Sequence, residues 1–182
     1  LFRNLNYRGK PLSQVDLIKN EIFSIVEDSS KYASKTWKEI EDNVYESGEN
    51  IFHRFLYHYM YGRYSKITKN NITERFLSNV RADKDSYVNF LEELKTASEY
   101  YKIILKPEDS DNIFGMQNYF KNENNMAIKR NLEFFKYIDV SQCRILLITL
   151  FECRKKDIIE NKFFKENSNS TLSIDSHKDI IE

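Results

Sequence analysis

The chain has 182 residues, enough for one domain of ordinary size. Hydrophobic residues make up 41% of it and aromatic residues 14%, which is ample material for a buried core and excludes a wholly disordered chain. With 4 Gly and 2 Pro it lacks the turn residues of an all-β sandwich or barrel, and its 28 basic residues balance its 28 acidic ones, so any contact with nucleic acid must come from a local patch.

Apolar residues that recur with a helical period predict the elements of the first half of the chain. Helix 14–27 begins at Ser13, with Asp16 placed three residues on as in a capping box. A second helix covers 32–45, and its buried side carries Trp37, Ile40 and Val44. A third helix starts near Ile51 and stops at Gly62, and a short fourth helix, capped by Thr68, carries Ile72, Phe76 and Val80.

The clearest periodicity lies over 87–105, a long helix that Pro107 closes. Residues 108–124 are predicted as polar loop with a short helix around Ile113 to Phe120. Two further helices cover 126–138 and 142–154, followed by a more amphipathic stretch up to Lys165. We expect the apolar run ILLITLF, residues 145–151, at the centre of the bundle, and we expect the inward residues of helix 126–138 to be Ile128, Leu132 and Phe135.

The pattern therefore predicts an all-α fold, a multi-helix bundle of about seven to nine helices around one core. The bundle domain takes residues 13–166, and the polar stretch 167–182 is predicted as a linker or disordered tail. The sequence has no apolar run long enough for a bilayer and no signal peptide, so we expect no membrane partner. Cys143 and Cys153 are expected to fill the core in a reducing, cytoplasmic setting. Because the chain begins at Leu1 rather than Met, we expect it to be a piece of a longer protein.

Sequence patterns that carry catalysis or bind metal ions are missing. His53 and His58 are five residues apart, so on a helix they diverge and cannot share a metal as an i,i+4 pair would. We interpret both as partly exposed helical histidines. Carboxylate pairs such as Glu92 and Glu93 lie on the polar side of a helix, and there is no P-loop, dinucleotide fingerprint or nucleophile elbow. We therefore assign no catalytic residue, metal ligand or cofactor to this chain.

A basic and aromatic stretch runs from His53 to Lys69, HRFLYHYMYGRYSKITK. Aromatic rings can stack on bases while Arg and Lys hold phosphates, so this stretch is a candidate DNA contact. The alternative is that its tyrosines pack internally and its cations complement the dipole at the helix C-terminus. The candidate DNA-contacting residues are Arg54, Arg63, Lys66 and Lys69.

The opening segment, FRNLNYRGKPLSQVDLI, combines a glycine turn, a proline-stiffened loop and a capped helix start. Its cations Arg3, Arg8 and Lys10 converge on a helix N-terminus, an arrangement that favours an anion. Short basic loops are common, so by charge alone the segment is only a candidate anion site.

The same segment resembles the end of the ParB-like domain of the GmrSD-type restriction endonuclease family, which reads close to F-x-x-L-N-x-x-G-x-P-L-S-x-x-D-L-I-K-N. The matching positions are Phe2, Leu5, Asn6, Gly9, Pro11, Leu12, Ser13, Asp16, Leu17, Ile18, Lys19 and Asn20. The similarity continues in a helix that bears Trp37, in FLYHYM at 55–60, in the basic stretch 66–76, and in EELK at 92–95 followed by Tyr100. Together these parts cover most of residues 1–165.

The resemblance implies a larger parent, with a D-G-Q-Q-R motif linked to nucleotide hydrolysis in its ParB-like domain and, in many members, a C-terminal HNH-type nuclease. Neither motif occurs in this chain. Residues 1–12 would be the tail end of the ParB-like domain. The chain would then be the helical scaffold of a bacterial defence protein, non-catalytic alone, which positions the NTPase-like and nuclease domains and contacts DNA. Nucleotide and divalent metal would be cofactors of the full-length parent, an NTP-dependent DNA endonuclease.

The resemblance also assigns residues to the nucleotide site of the parent. Phe2 and Asn6 match the family's F-x-x-x-N element, and the Asn6 amide can both donate to and accept from a nucleotide. Arg8 and Lys10 are candidates for phosphate contact through their charge. The alternative for Asn6 is a turn residue that bonds its own backbone near Gly9.

Two other hypotheses stay open. The chain could be a stand-alone helical DNA-binding module that uses the stretch from His53 to Lys69. It could also be a protein-interaction module or a homodimer that uses the ILLITLF run or an aromatic face. The partners named by these hypotheses are DNA, other domains of the same protein and a second copy of the chain.

Overall fold

The structure, a computed structural model, describes residues 12–26, 30–44, 51–110, 112–138 and 141–172, the last twelve of them by their backbone only. They form seven α-helices and one two-stranded sheet, which confirms the predicted all-α bundle. The elements are α1 (Gln14–Ile25), α2 (Ser30–Val44), α3 (Ile51–Tyr61), α4 (Ile72–Asn79), α5 (Lys84–Leu105), β1 (Asn112–Ile113), β2 (Met116–Gln117), α6 (Glu123–Ile138) and α7 (Ser141–Leu172). None of these helices is both long enough and apolar enough to cross a membrane.

The chain divides into two compact units, Leu1–Ile148 and Thr149–Glu182. The first unit contains α1 to α6, the sheet and the first turns of α7. The second contains the rest of α7 up to Leu172. Residues 167–172, which the sequence predicts as linker, are thus helical. The remaining predicted tail, 173–182, lies outside the described residues.

The long helix α5 forms the centre of the first unit. Its N-cap is Asp83, whose side chain accepts a hydrogen bond from the Ser86 amide (2.9 Å). Half of its 22 residues are buried, from Tyr87 at its start to Leu105 at its end. It packs most extensively against α2 and also contacts α1, α3 and α6. The periodicity predicted over 87–105 is therefore confirmed, and among the described helices it marks the one with the most buried residues.

Polar contacts align α2 with α5. The Lys95 ammonium lies 2.7 Å from a Glu39 carboxylate oxygen, and the Asn43 amide donates to the Ser98 hydroxyl (3.1 Å). The Ser98 side chain is fully buried, and its hydroxyl donates in turn to the Lys95 carbonyl (2.6 Å). A small residue at this position lets two helices approach closely, while the half-buried amide of Asn43 keeps an acceptor.

Aromatic side chains fill the space between the helices. Trp37 of α2 stacks on Phe52 of α3, with ring centroids 5.1 Å apart. Phe55 of α3 lies 5.0 Å from Tyr101 of α5, and other edge contacts join α3 and α4 to the same helix. Offset and edge-to-face pairs of this kind each contribute about 0.5–1.5 kcal/mol beyond burial. The high aromatic content of the sequence is thus largely explained by packing.

Residues 112–121 differ from the prediction of a short helix around Ile113 to Phe120. They form a hairpin in which Ile113 pairs with Met116, followed by a 3-10 turn over 119–121. Phe114 and Gly115 at the hairpin turn both have positive φ (56° and 75°), as in a two-residue turn of the type I′ class. Phe114 packs against Tyr100 and Tyr119, which offsets the strain of its backbone.

The run ILLITLF does not lie at the centre of the bundle. It belongs to α7, where Ile148 is 1% exposed but Leu146 is 59% exposed. One face of the helix is therefore exposed along this run, although nearly all of its residues are apolar. Cys153 is exposed and Cys143 is half-buried, so neither cysteine is the core residue that we expected. In α6, Leu132 is buried as predicted, but Ile128 is exposed.

The α2–α5 contact yields a stability prediction. Ser98→Leu should lower the free energy of unfolding by about 1–3 kcal/mol, because it overpacks a closely approached interface and removes the acceptor of the Asn43 amide. Ser98→Ala, which removes only the hydroxyl, should cost about 1 kcal/mol. Urea denaturation followed by circular dichroism measures both. A Ser98→Leu chain as stable as the wild type would contradict this packing.

Candidate functional site

The loop between α3 and α4, residues 62–71, carries two of the four candidate DNA-contacting residues. Lys66 and Lys69 are exposed, and neither forms a salt bridge with another described residue. Lys66 has a positive φ of 60°, which is uncommon for a residue other than glycine. The loop closes on Asn71, whose side chain accepts from the Thr68 amide (2.7 Å) and donates to the Lys66 carbonyl (3.0 Å). The two lysines thus project from a loop held by internal hydrogen bonds.

The start of α4 depends on a residue of α1. Thr68 does not cap this helix, as the sequence predicted, because α4 begins at Ile72, and the N-cap position is held by Asn71. The Asn71 side chain is committed to the loop and makes no capping bond. Instead, the Thr73 amide donates to the side-chain oxygen of Gln14 (3.1 Å), and the Thr73 hydroxyl donates to the Gln14 carbonyl (3.2 Å). Gln14 therefore satisfies one of the amides that a helix N-terminus leaves without an intrahelical partner.

Gln14 also joins α1 to the basic loop itself. Its side-chain amide donates to the Lys69 carbonyl (2.9 Å), so one side chain holds both the loop and the first turn of α4. Gln14 follows Ser13, at which the opening segment enters the bundle. Sequence reasoning missed this residue, since its partners lie 55 and 59 positions away and no local pattern predicts them.

The other two candidate cations are engaged inside the fold. The Arg63 guanidinium lies 3.7 Å from the centre of the Tyr59 ring, donates to the Tyr59 carbonyl (3.3 Å) and pairs with Glu93 at 4.0 Å. The Tyr59 hydroxyl also donates to Glu93 (3.1 Å), and burial raises the pKa of Tyr59 strongly. Arg63 therefore matches the packing alternative that the sequence left open, in which the stretch after His53 stabilises the fold.

Arg54 belongs to a polar cluster that we call the His58 cluster, formed by the buried His58 and Tyr101 and the half-buried Arg54 and Arg144. His58 is 1% exposed, so our interpretation of it as partly exposed is wrong. Its ring nitrogen Nδ1 lies 3.2 Å from the Tyr101 hydroxyl. Burial raises the pKa of Tyr101, while the neighbouring guanidinium groups of Arg144 and Arg54 act in the opposite direction. His58 follows the buried Phe55 by about one helical turn, so both residues lie on the same face of α3. This spacing is the sequence feature from which the burial of His58 could have been predicted.

The opening residues Phe2, Asn6, Arg8 and Lys10 lie outside the described residues, and their assignment stays a prediction. The described half of the motif has structural roles. The capping box is confirmed, because Ser13 and Asp16 exchange amide-to-side-chain hydrogen bonds of 3.1 and 3.2 Å. Ile18 is fully buried.

The motif lysine connects α1 to the tryptophan of α2. The Lys19 ammonium lies 3.2 Å from Glu41 and 5.6 Å from the centre of the Trp37 ring. The Trp37 indole donates to the same Glu41 oxygen (2.7 Å). One carboxylate therefore joins the opening motif to the helix that bears the tryptophan.

Comparison with known proteins gives no family assignment. No family model, curated protein or solved structure matches the chain. Within the part of the chain that the structure describes, no three His, Cys, Asp or Glu side chains are grouped so that they could hold a metal ion. Function must therefore be argued from the sequence motif and from the geometry of the loop.

The His58 cluster yields a second prediction. Tyr101→Phe should lower the free energy of unfolding by about 1–3 kcal/mol, because it removes the hydroxyl that faces a buried imidazole and two guanidinium groups. Tyr61→Phe removes a hydroxyl from a side chain that is 50% exposed, and it should change stability by less than about 0.5 kcal/mol. Thermal unfolding of the two variants at neutral pH makes the comparison. Equal stability of the two variants would contradict the described cluster.

Proposed function

We propose that this chain is the helical scaffold of a GmrSD-type bacterial defence protein, without catalytic activity of its own, and that it contacts DNA through Lys66 and Lys69. The proposal combines the resemblance of the opening segment with one structural observation. That observation is the contact of Gln14 with both the loop 62–71 and the first turn of α4.

The contact supports a scaffold role because it sets where the opening segment enters the bundle. In this proposal the ParB-like domain of the parent precedes Ser13. The Gln14 hydrogen bonds and the Lys19–Glu41–Trp37 contact then fix the first helix after that domain to α4 and α2. A connection that is fixed to the bundle by two sets of contacts would hold the relative orientation of the two domains better than a flexible linker does.

The DNA contact rests on Lys66 and Lys69. Both lysines are exposed and have no salt-bridge partner among the described residues, so their charge is available to phosphates. Lys10 and Arg8 precede Ser13 by three and five positions in the sequence and would add cations to the same end of α1. Because the chain has no net charge, DNA binding would depend on this local group of cations. Since these cations would contact phosphates, the affinity would fall strongly as the salt concentration rises.

Fluorescence anisotropy with a labelled DNA duplex tests the contact. The double variant Lys66→Ala/Lys69→Ala should weaken binding on every duplex alike and should lower the slope of log K against log salt by about 2, one unit for each lost phosphate contact. Glu74→Gln, which removes an exposed acid from the first turn of α4, should strengthen binding.

The matched control is Lys84→Ala/Lys102→Ala, which removes the same charge from exposed positions of α5 and should leave the salt slope unchanged. Equal losses in the two double variants, or no binding at low salt, would overturn the DNA contact. The scaffold role is tested separately with the same preparation, which should hydrolyse neither NTP nor DNA. Either activity in the wild-type chain would contradict that role without bearing on the loop.

A further inference from the structure

A cavity of about 230 Å³ lies among the end of α5, the end of α6 and the first turns of α7. One part of its wall is apolar and is formed by Ile104, Leu105, Phe135 and Leu147. Its volume lies below the roughly 300–1,000 Å³ that is usual for drug-sized ligands, so the cavity is suited to a small ligand of about one ring.

The rest of the wall carries two cations and a thiol, namely Lys136, Arg144 and Cys143. Cys143 and Arg144 are the third and fourth residues of α7, near the positive end of the helix dipole. The ammonium of Lys136 pairs with Glu108, which lowers the pKa of that carboxyl. An ammonium has three donors and a guanidinium five, so each cation can bind a further acceptor while it keeps its present contacts.

We propose that this cavity is a binding site for a small organic anion. The anionic group, a carboxylate or a phosphate, would face Lys136 and Arg144, and the carbon body would lie on Phe135 and the aliphatic side chains opposite. Such a site combines an apolar wall with a few polar groups that fix the orientation of the ligand, as ligand sites commonly do. The proposal is independent of the DNA contact, which lies in the loop between α3 and α4.

Binding would also couple the cavity to the His58 cluster. Arg144 lines the cavity and is one of the two guanidinium groups beside the Tyr101 hydroxyl. An anion that accepts hydrogen bonds from the Arg144 guanidinium would therefore affect Tyr101, a buried residue near the C-terminal end of α5. This shared side chain gives the ligand a contact with the core of the first unit.

The two cysteines provide a direct test in the intact chain. Iodoacetate and iodoacetamide alkylate a thiolate by the same displacement of iodide, but only iodoacetate is an anion. Cys143 lines the cavity and Cys153 is exposed, and trypsin separates them because Arg144 lies between them. Mass spectrometry then measures the ratio of the two alkylation rates at each cysteine in one sample.

The iodoacetate-to-iodoacetamide rate ratio should be about tenfold higher at Cys143 than at Cys153, since a cationic cleft concentrates anions. High salt should remove most of this difference. Benzoate, an anion with a single ring, should slow alkylation of Cys143 by both reagents and leave Cys153 unaffected.

Two variants of one ion pair supply the control. Lys136→Gln should lower the ratio at Cys143, whereas Glu108→Gln should raise it, because the first removes a positive charge from the cavity and the second removes a negative charge beside Lys136. Both changes break the same contact, so a general loosening of the helices would shift both ratios in one direction. Parallel shifts, equal ratios at the two cysteines, no protection by benzoate, or a Cys143 that neither reagent reaches would each overturn the proposal.

Discussion

The burial of α5 is the constraint on which the rest of the first unit depends. Of its last six residues only Lys102 is exposed, so neighbouring segments must cover the end of this helix on nearly every side. Apolar contact alone would leave its polar groups without partners, and an unpaired buried polar group costs about 1–3 kcal/mol. Two of these groups have partners on other helices: Ser98 is paired with Asn43 of α2, and Tyr101 with His58 of α3. These contacts set the register of the helices as well as their proximity.

The loop 62–71 and the start of α4 are stabilised differently, by a side chain of α1 that hydrogen-bonds to both. Asn71 stands at the cap position of α4 but closes the basic loop instead, and Gln14 of α1 supplies the missing acceptor. The loop, the start of α4 and the start of α1 thus depend on each other. In the account proposed here, an upstream domain enters the bundle at the start of α1. The shared contacts would place this entry point and the exposed lysines Lys66 and Lys69 on one surface.

Periodicity in the sequence was sufficient for the elements whose structure is decided locally. The long helix at 87–105, the capping box at Ser13 and the buried side of α2 follow from the spacing of apolar residues and from cap chemistry, and the structure agrees. The hairpin at 112–117 could not be predicted from periodicity, because each of its strands has only two residues. Its turn also contains Phe114 at a positive φ, a conformation that is uncommon for a bulky aromatic residue. The apolar composition of ILLITLF predicts a central position, whereas the helical period leaves Leu146 and Leu150 exposed.

Contacts between distant positions could not be predicted in this way. The partners of Gln14 and the burial of His58 depend on how the helices dock, and a single sequence does not contain that geometry. Arg63 illustrates the same limit: in the basic stretch it looks like Lys66, but its guanidinium lies on the Tyr59 ring, whereas Lys66 is exposed. The cavity at the end of α6 also arises only where three helices meet. The nucleotide-site residues Phe2, Asn6, Arg8 and Lys10 stay predictions from the motif.

Amide hydrogen exchange at Thr73 is the measurement that tests the central claim most directly. Thr73 is the second residue of α4, so its amide has no intrahelical acceptor, and its protection should come from the Gln14 side chain. The account predicts a protected Thr73 amide in the wild type and near-complete loss of that protection in Gln14→Ala. The Arg75 amide, which donates to the Asn71 carbonyl (2.9 Å), should change far less. A Thr73 amide that exchanges freely in the wild type, or equally in both chains, would contradict the joint between α1, the basic loop and α4.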